Sequence, residues 1–104
     1  MTRRRLATYL LADVQDAVRR GSYWITRTAS RGAMSLHLDE ADIRECVLGL
    51  RSADFYKTMP SERLPGLHQD VYRIHYLGMA IYVKVQMSLE GESVIVSFKR
   101  DSGT

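Results

Sequence analysis

The sequence holds one cysteine, Cys46, and only two prolines in 104 residues. A single thiol cannot close an intrachain disulfide, so the fold must rest on its hydrophobic core, as suits a reducing compartment. No stretch approaches the ~20 consecutive apolar residues that a membrane-spanning helix needs. The opening MTRRRLATYLLADV sets basic residues before apolar ones, as a secretory leader does. Thr8 and Asp13 interrupt that run, however, and no small-residue cleavage site follows. The expected location is therefore the cytoplasm. His37 and His68 have no partners at metal-ligand spacing, and one cysteine cannot complete a zinc site. Neither a metal nor another cofactor is expected. No repeat, linker or low-complexity segment divides the chain, which reads as one domain over residues 1–104.

What is present is ordinary for a globular protein: 45% hydrophobic and 26% charged residues. Fifteen Lys plus Arg against twelve Asp plus Glu give a formal charge of +3. That mild excess suits a polyanionic partner without demanding one. Its distribution is uneven. Arg3, Arg4, Arg5, Arg19, Arg20, Arg27 and Arg31 crowd the first third, and acids cluster from Asp39 to Glu45.

Leu6, Leu10, Val14, Ala17 and Val18 recur at helical spacing and end at Arg19-Arg20-Gly21, a helix with cations in its last turn and glycine as its stop. Ser22–Thr26 is aromatic and β-branched, short enough for one strand or an extended connector. Thr28 to Leu36 allows a helix that Gly32 weakens. Asp39 followed by Glu40 and Asp42 is a strong helix start, and Ile43, Cys46, Val47 and Leu50 form the buried stripe up to Gly49. Ser52 is positioned to cap one more short helical turn through Lys57. Pro60 and SERLPGLH then read as an exposed loop, punctuated by two prolines and a glycine. From there the period changes to two. Val71–Leu77, Met79–Ser88 and Ser93–Arg100 are three strands joined near Gly78 and by Glu90-Gly91-Glu92. Helices first and a terminal meander make an α+β pattern, with a twisted antiparallel sheet carrying two to three helices on one face.

Parity divides the two faces, because successive strand residues point opposite ways. Met79, Ile81, Val83, Val85 and Met87 share the core side. In the last strand Val94, Val96 and Phe98 match them, leaving Ile95, Ser97 and Lys99 outward. In the first, Tyr72, Ile74 and Tyr76 facing inward puts Arg73 and His75 outward, and Gln69 too if it lies on the strand. The outer face then gathers Gln69, Arg73, His75, Tyr82, Lys84 and Lys99 without a carboxylate. A solvated outer face is the bland explanation, but such a face ordinarily mixes both charge signs. Donors and cations alone suit a phosphodiester. Tyr82 adds a base-stacking surface or a proton carrier.

Ser52-Ala53-Asp54-Phe55-Tyr56-Lys57, Gln69-Asp70-Val71-Tyr72-Arg73, Ile81-Tyr82-Val83-Lys84 and Val94-Ile95-Val96-Ser97-Phe98-Lys99, in this order, resemble the MqsR toxins, the motility quorum-sensing regulators of bacterial toxin–antitoxin pairs. The motifs cover the second half of the chain, and the first half agrees in layout. The resemblance implies a RelE-like fold and a metal-free, sequence-selective endoribonuclease that cuts mRNA and is neutralised by a cognate antitoxin. Carried over position by position, the family's active-site residues fall on Lys57, Gln69, Tyr82 and Lys99. Lys57 would fold over the polar face from the segment before the loop. Arg73, His75 and Lys84 are expected to bind RNA. His68 stands where the family often has tryptophan, and Ile74-His75-Tyr76 lacks its proline; both bear on base preference more than on the reaction.

RNA cleavage without a metal uses the ribose 2′-oxygen as nucleophile and leaves a 2′,3′-cyclic phosphate. Lys57 and Lys99 would stabilise charge, one of them with a lowered pKa as base, while Tyr82 transfers a proton and Gln69 orients the substrate. His75 is held as an auxiliary only. Arg3 to Arg5 read as a solvated end with non-specific RNA affinity, and Trp24 reads as core. The competing class is a non-catalytic nucleic-acid-binding module using the same basic face.

Overall fold

The period-two segments do form the centre of a sheet in the computed structural model, which describes residues 6–102. Helix α1 (Leu11–Arg19), strand β1 (Tyr23–Ile25), helices α2 (Arg27–Met34) and α3 (Glu40–Leu48), and strands β2 (Phe55–Pro60), β3 (His68–Tyr76), β4 (Met79–Met87) and β5 (Ser93–Arg100) follow in that order. The described strands make one sheet, ordered β1-β5-β4-β3-β2. Helices α1, α2 and α3 cover one face, the layout of a RelE-like α+β fold. Val14, Val18, Ala29, Ala33, Ile43 and Val47 from the helices meet Tyr72, Ile81, Val83, Val85, Ile95 and Phe98 from the sheet. Cys46 is buried among them. Burial, and then the nearby Asp54 and Glu45, push its thiol up to about 12, so it behaves as a small hydrophobe.

Local chemistry explains the helix ends. The Asp39 carboxylate accepts from Asp42 N and the Asp42 carboxylate from Asp39 N, both at 3.0 Å, a reciprocal capping box on α3. Gly21, at φ +79°, turns the chain out of α1 as its position predicted. Helix α1 starts at Leu11, later than the Leu6 suggested by periodicity, and Leu6 and Leu10 are exposed. The preceding segment is tied down by a buried carboxylate instead. Asp70, fully buried in β3, accepts from Thr8 N and Tyr9 N at 2.9 Å each. The glycine that weakened the α2 signal turns out to seat that helix. A Cβ on Gly32 would lie 1.8 Å from the Phe98 carbonyl oxygen, so only glycine permits this approach to β5.

The sheet departs from expectation in composition and in register. It is mixed, because β1 runs parallel to β5. The Ser52 turn is a short 3-10 helix, Ser52–Asp54, and the chain then continues as β2 through Pro60. The Phe55 ring packs edge-on against Tyr72 at 5.7 Å, and that core contact outweighs the local turn signals. Pro60 is tolerated as the last residue of an edge strand. In β5, Ser97 pairs with Lys84 but Ile95 pairs with Val85, so Val96 forms a β-bulge. The bulge reverses parity before it: Ile95 is fully buried in the core, and Val94, paired with Gln86, faces away from the helices. The expected inward Val94 and Val96 and outward Ile95 are thus corrected, while Phe98 and Lys99 keep their assigned faces.

Candidate active site

On the face away from the helices, side chains line up in rows across the strands. One row runs Lys57, Val71, Lys84, Ser97. Beside it lie Arg73, Tyr82 and Lys99. On its other side Met59 pairs with Gln69, and Gln86 with Val94. Gln69 and Gln86 are nearly buried, and Gln69 Nε2 donates to Gln86 Oε1 at 2.9 Å. Alternation along β4 supplies Tyr82, Lys84 and Gln86, one to each row. Lys57 reaches the face through a second bulge, at Tyr56, between the Phe55–Tyr72 and Lys57–Val71 pairs.

Cations rest against aromatic rings here. Lys99 Nζ is 4.9 Å from the Tyr82 ring centroid, Lys57 Nζ is 5.4 Å from that of Tyr56, and Arg73 Cζ is 4.6 Å from that of Tyr56. Arg73 Nε also donates to Asp101 Oδ2 at 2.6 Å. Tyr56, Tyr82, Lys99 and Asp101 line a cavity of about 200 Å³. A groove of about 700 Å³ continues from Lys84 past Gln69 and Gln86, between the start of α2 and the 61–67 loop. Contrary to expectation, carboxylates do reach this face. Asp101 holds Arg73, and Glu62 interacts with Lys84.

The electrostatics separate an amine from a phenol. Burial lowers the Lys84 pKa; Glu62 opposes that shift, and the neighbouring charges of Lys99 and Lys57 add to it. Burial raises the Tyr82 pKa, helped by Tyr56 and Asp101, so its O–H stays on at neutral pH. The face therefore offers an amine whose pKa is lowered, a phenol that keeps its proton, and the side chains of Lys57 and Lys99 beside them.

The sequence pattern of the family described as motility quorum-sensing regulator, toxin of MqsA, matches residues 6–100. The mRNA interferase toxin MqsR of Escherichia coli (strain K12) is 34% identical over 89 residues, covering 86% of this chain and 89% of that protein. The chain belongs to the MqsR toxin family.

All four residues that the MqsR resemblance singled out, Lys57, Gln69, Tyr82 and Lys99, stand on this one face. Lys57 lies within the sheet rather than folding over it from a preceding turn. Arg73 and Lys84 join them. His75 shares the face but pairs with Ala80 by the β3–β4 turn, exposed and two positions beyond Arg73. Tyr56 was missed; an aromatic residue directly before Lys57 was the available signal. Trp24, expected in the core, is exposed. Among the described residues no group of three His, Cys, Asp or Glu side chains could hold a metal, and no helix is long and apolar enough to cross a membrane. Arg3, Arg4 and Arg5 lie outside the described residues.

Proposed function

We propose that this MqsR-family chain is an endoribonuclease toxin of the cytoplasm, cutting mRNA at a phosphodiester seated over Lys57, Lys84 and Lys99, and that a cognate antitoxin restrains it. The family's description as the toxin of MqsA and the relative's name, mRNA interferase toxin, support the activity and the partner. One observation carries the chemistry: a half-buried amine, Lys84, lies between two other lysines and one residue away on its strand face from a protonated phenol.

Lys84 Nζ accepts the proton of the ribose 2′-hydroxyl, and the 2′-oxygen attacks phosphorus. Lys57 and Lys99 hold the extra negative charge of the phosphorane, as preorganised donors do at developing oxyanions. The Tyr82 O–H gives its proton to the departing 5′-oxygen, and the Lys84 ammonium restores the phenol through water. The products are a 2′,3′-cyclic phosphate and a 5′-hydroxyl. Each placed acid or base accounts for roughly 10²–10⁴-fold. Gln69, its amide oriented by Gln86, positions the ribose and phosphate, and Arg73 with His75 binds flanking phosphates. The side chains supply every charge these steps require, so no metal is invoked.

Incubating the purified chain with cellular mRNA in EDTA, then mapping cuts by primer extension and analysing the ends, tests this reading. Cuts at one short sequence with cyclic-phosphate ends are expected. A 5′-phosphate product that vanishes on chelation overturns the mechanism. RNA retention without cleavage would leave a binding module instead.

A further inference from the structure

Trp24 is the sole tryptophan in the sequence, and it stands 63% exposed on the short edge strand β1. Its register partner is Val94, Val94 pairs with Gln86, and Gln86 accepts from the Gln69 amide. Paired residues share a face, so the indole extends the amide row and lies on the same side of the sheet as the lysines. About two strand spacings, roughly 10 Å, separate it from Gln86. The groove described above occupies this region. Gln86, Val94 and Val96 line it, with Arg27 on the α2 side, Arg63 and Glu62 on the loop side, and Lys84 included. Its volume of about 700 Å³ falls within the usual range for organic-ligand sites.

We propose that this groove carries one flank of the RNA strand away from the scissile phosphate and that Trp24 stacks on a base of that flank. The inference rests on the endoribonuclease reading above and adds a binding subsite to it. The lining sets three cations, Arg27, Arg63 and Lys84, against one carboxylate, Glu62, and the exposed Trp24 is the register neighbour of the groove residue Val94. Basic grooves flanked by aromatic rings bind single strands with little dependence on sequence. The amide pair spends Gln69 Nε2 and Gln86 Oε1 on each other, which leaves Gln69 Oε1 and the Gln86 NH₂ to meet a base edge. A protein partner pairing with the β1 edge would also cover the indole. Continuity with Lys84 and the arginines on both sides favour the polyanion.

Trp24 reports on its own contact. Its emission is followed while the wild-type chain is titrated with 2′-O-methyl oligonucleotides copied from a cut site mapped by primer extension. These are lengthened on the 5′ or the 3′ side. Quenching is expected for lengthening on one side only. Trp24→Ala and Trp24→Leu should bind that longer oligonucleotide roughly 5- to 150-fold more weakly, the loss of one base stack, with Trp24→Phe closer to wild type. All variants should bind the oligonucleotide without that flank alike, and KM for a long substrate should rise while kcat holds. Trp24 packs outside the core, so these variants should melt like the wild type. Unchanged affinity of Trp24→Ala for every oligonucleotide, with no quenching in the wild type, overturns the subsite while leaving the nuclease intact. A wild-type chain that neither binds nor cuts any RNA refutes the nuclease reading itself, and the subsite with it.

Discussion

Lys99 and Tyr82 are cross-strand partners, and the Lys99 ammonium stands 4.9 Å from the centre of the Tyr82 ring. Phe98, fully buried on the opposite face, anchors the strand that presents it. Arg100 pairs with Ile81 and so belongs to the other parity. Lys99→Ala should cut turnover by roughly 10²–10³-fold, more than it weakens RNA binding, as removal of one oxyanion donor does. Arg100→Ala should change little. Single-turnover cleavage and anisotropy titration of both variants decide it, and the reverse ranking would misplace the whole face.

Lys84 should show its role in pH dependence. Arginine keeps the charge but cannot become neutral, so Lys84→Arg should lose most cleavage at neutral pH while retaining RNA affinity. The sign for stability is also fixed. The folded-state pKa lies below the ordinary 10.5, so between those two values the unfolded chain binds more protons, and stability rises with pH through that window. Urea midpoints measured across it should climb for wild type and lose that component in Lys84→Met.

Gly32→Ala forces a methyl group against the Phe98 carbonyl, and backbone is slow to yield. A loss of about 3 kcal/mol is expected in urea unfolding, near the upper end for overpacking. Because Phe98 immediately precedes Lys99, cleavage should fall as well. A neutral Gly32→Ala would mean that α2 does not pack this closely.

Asp70→Asn replaces an acceptor of two backbone donors by a group that can satisfy only one with its oxygen. The variant should be about 2–3 kcal/mol less stable, and the Thr8 and Tyr9 amides should exchange faster with solvent. Equal stability would show that the N-terminal segment is held by its other contacts, such as the Tyr9 hydroxyl on His68 O.

Elements whose causes are local were legible in the sequence. Helix α3 carries its own capping box, and β4 alternates cleanly because both of its neighbours are strands. The phase change in β5 was not legible. Val96 bulges where the Thr26 hydroxyl, seventy positions away, donates to its carbonyl oxygen at 2.8 Å. Likewise β2 depends on Phe55 finding Tyr72, and the exposure of Trp24 depends on β1 becoming an edge. At the site, parity placed Tyr82 and Lys99, while the resemblance was needed to add Lys57. The particular environment of Lys84 arises from β2, β5 and the 61–67 loop together, and no stretch of sequence contains all three.

The bulge at Val96 makes β5 two short strands spliced out of phase. Residues before the splice supply Ile95 to the helices and Val94 to the groove; residues after it supply Phe98 and Lys99. Side-chain changes at either end can therefore accumulate as separate traits, one adjusting the groove floor and the other the phosphate contact. A one-residue deletion at Val96 is a different kind of event. It would bring the halves into phase, and one of them would have to turn over, exchanging Ile95 with Val94 or Phe98 with Lys99. The length of this strand is thus as tightly constrained by the two faces as any residue on it.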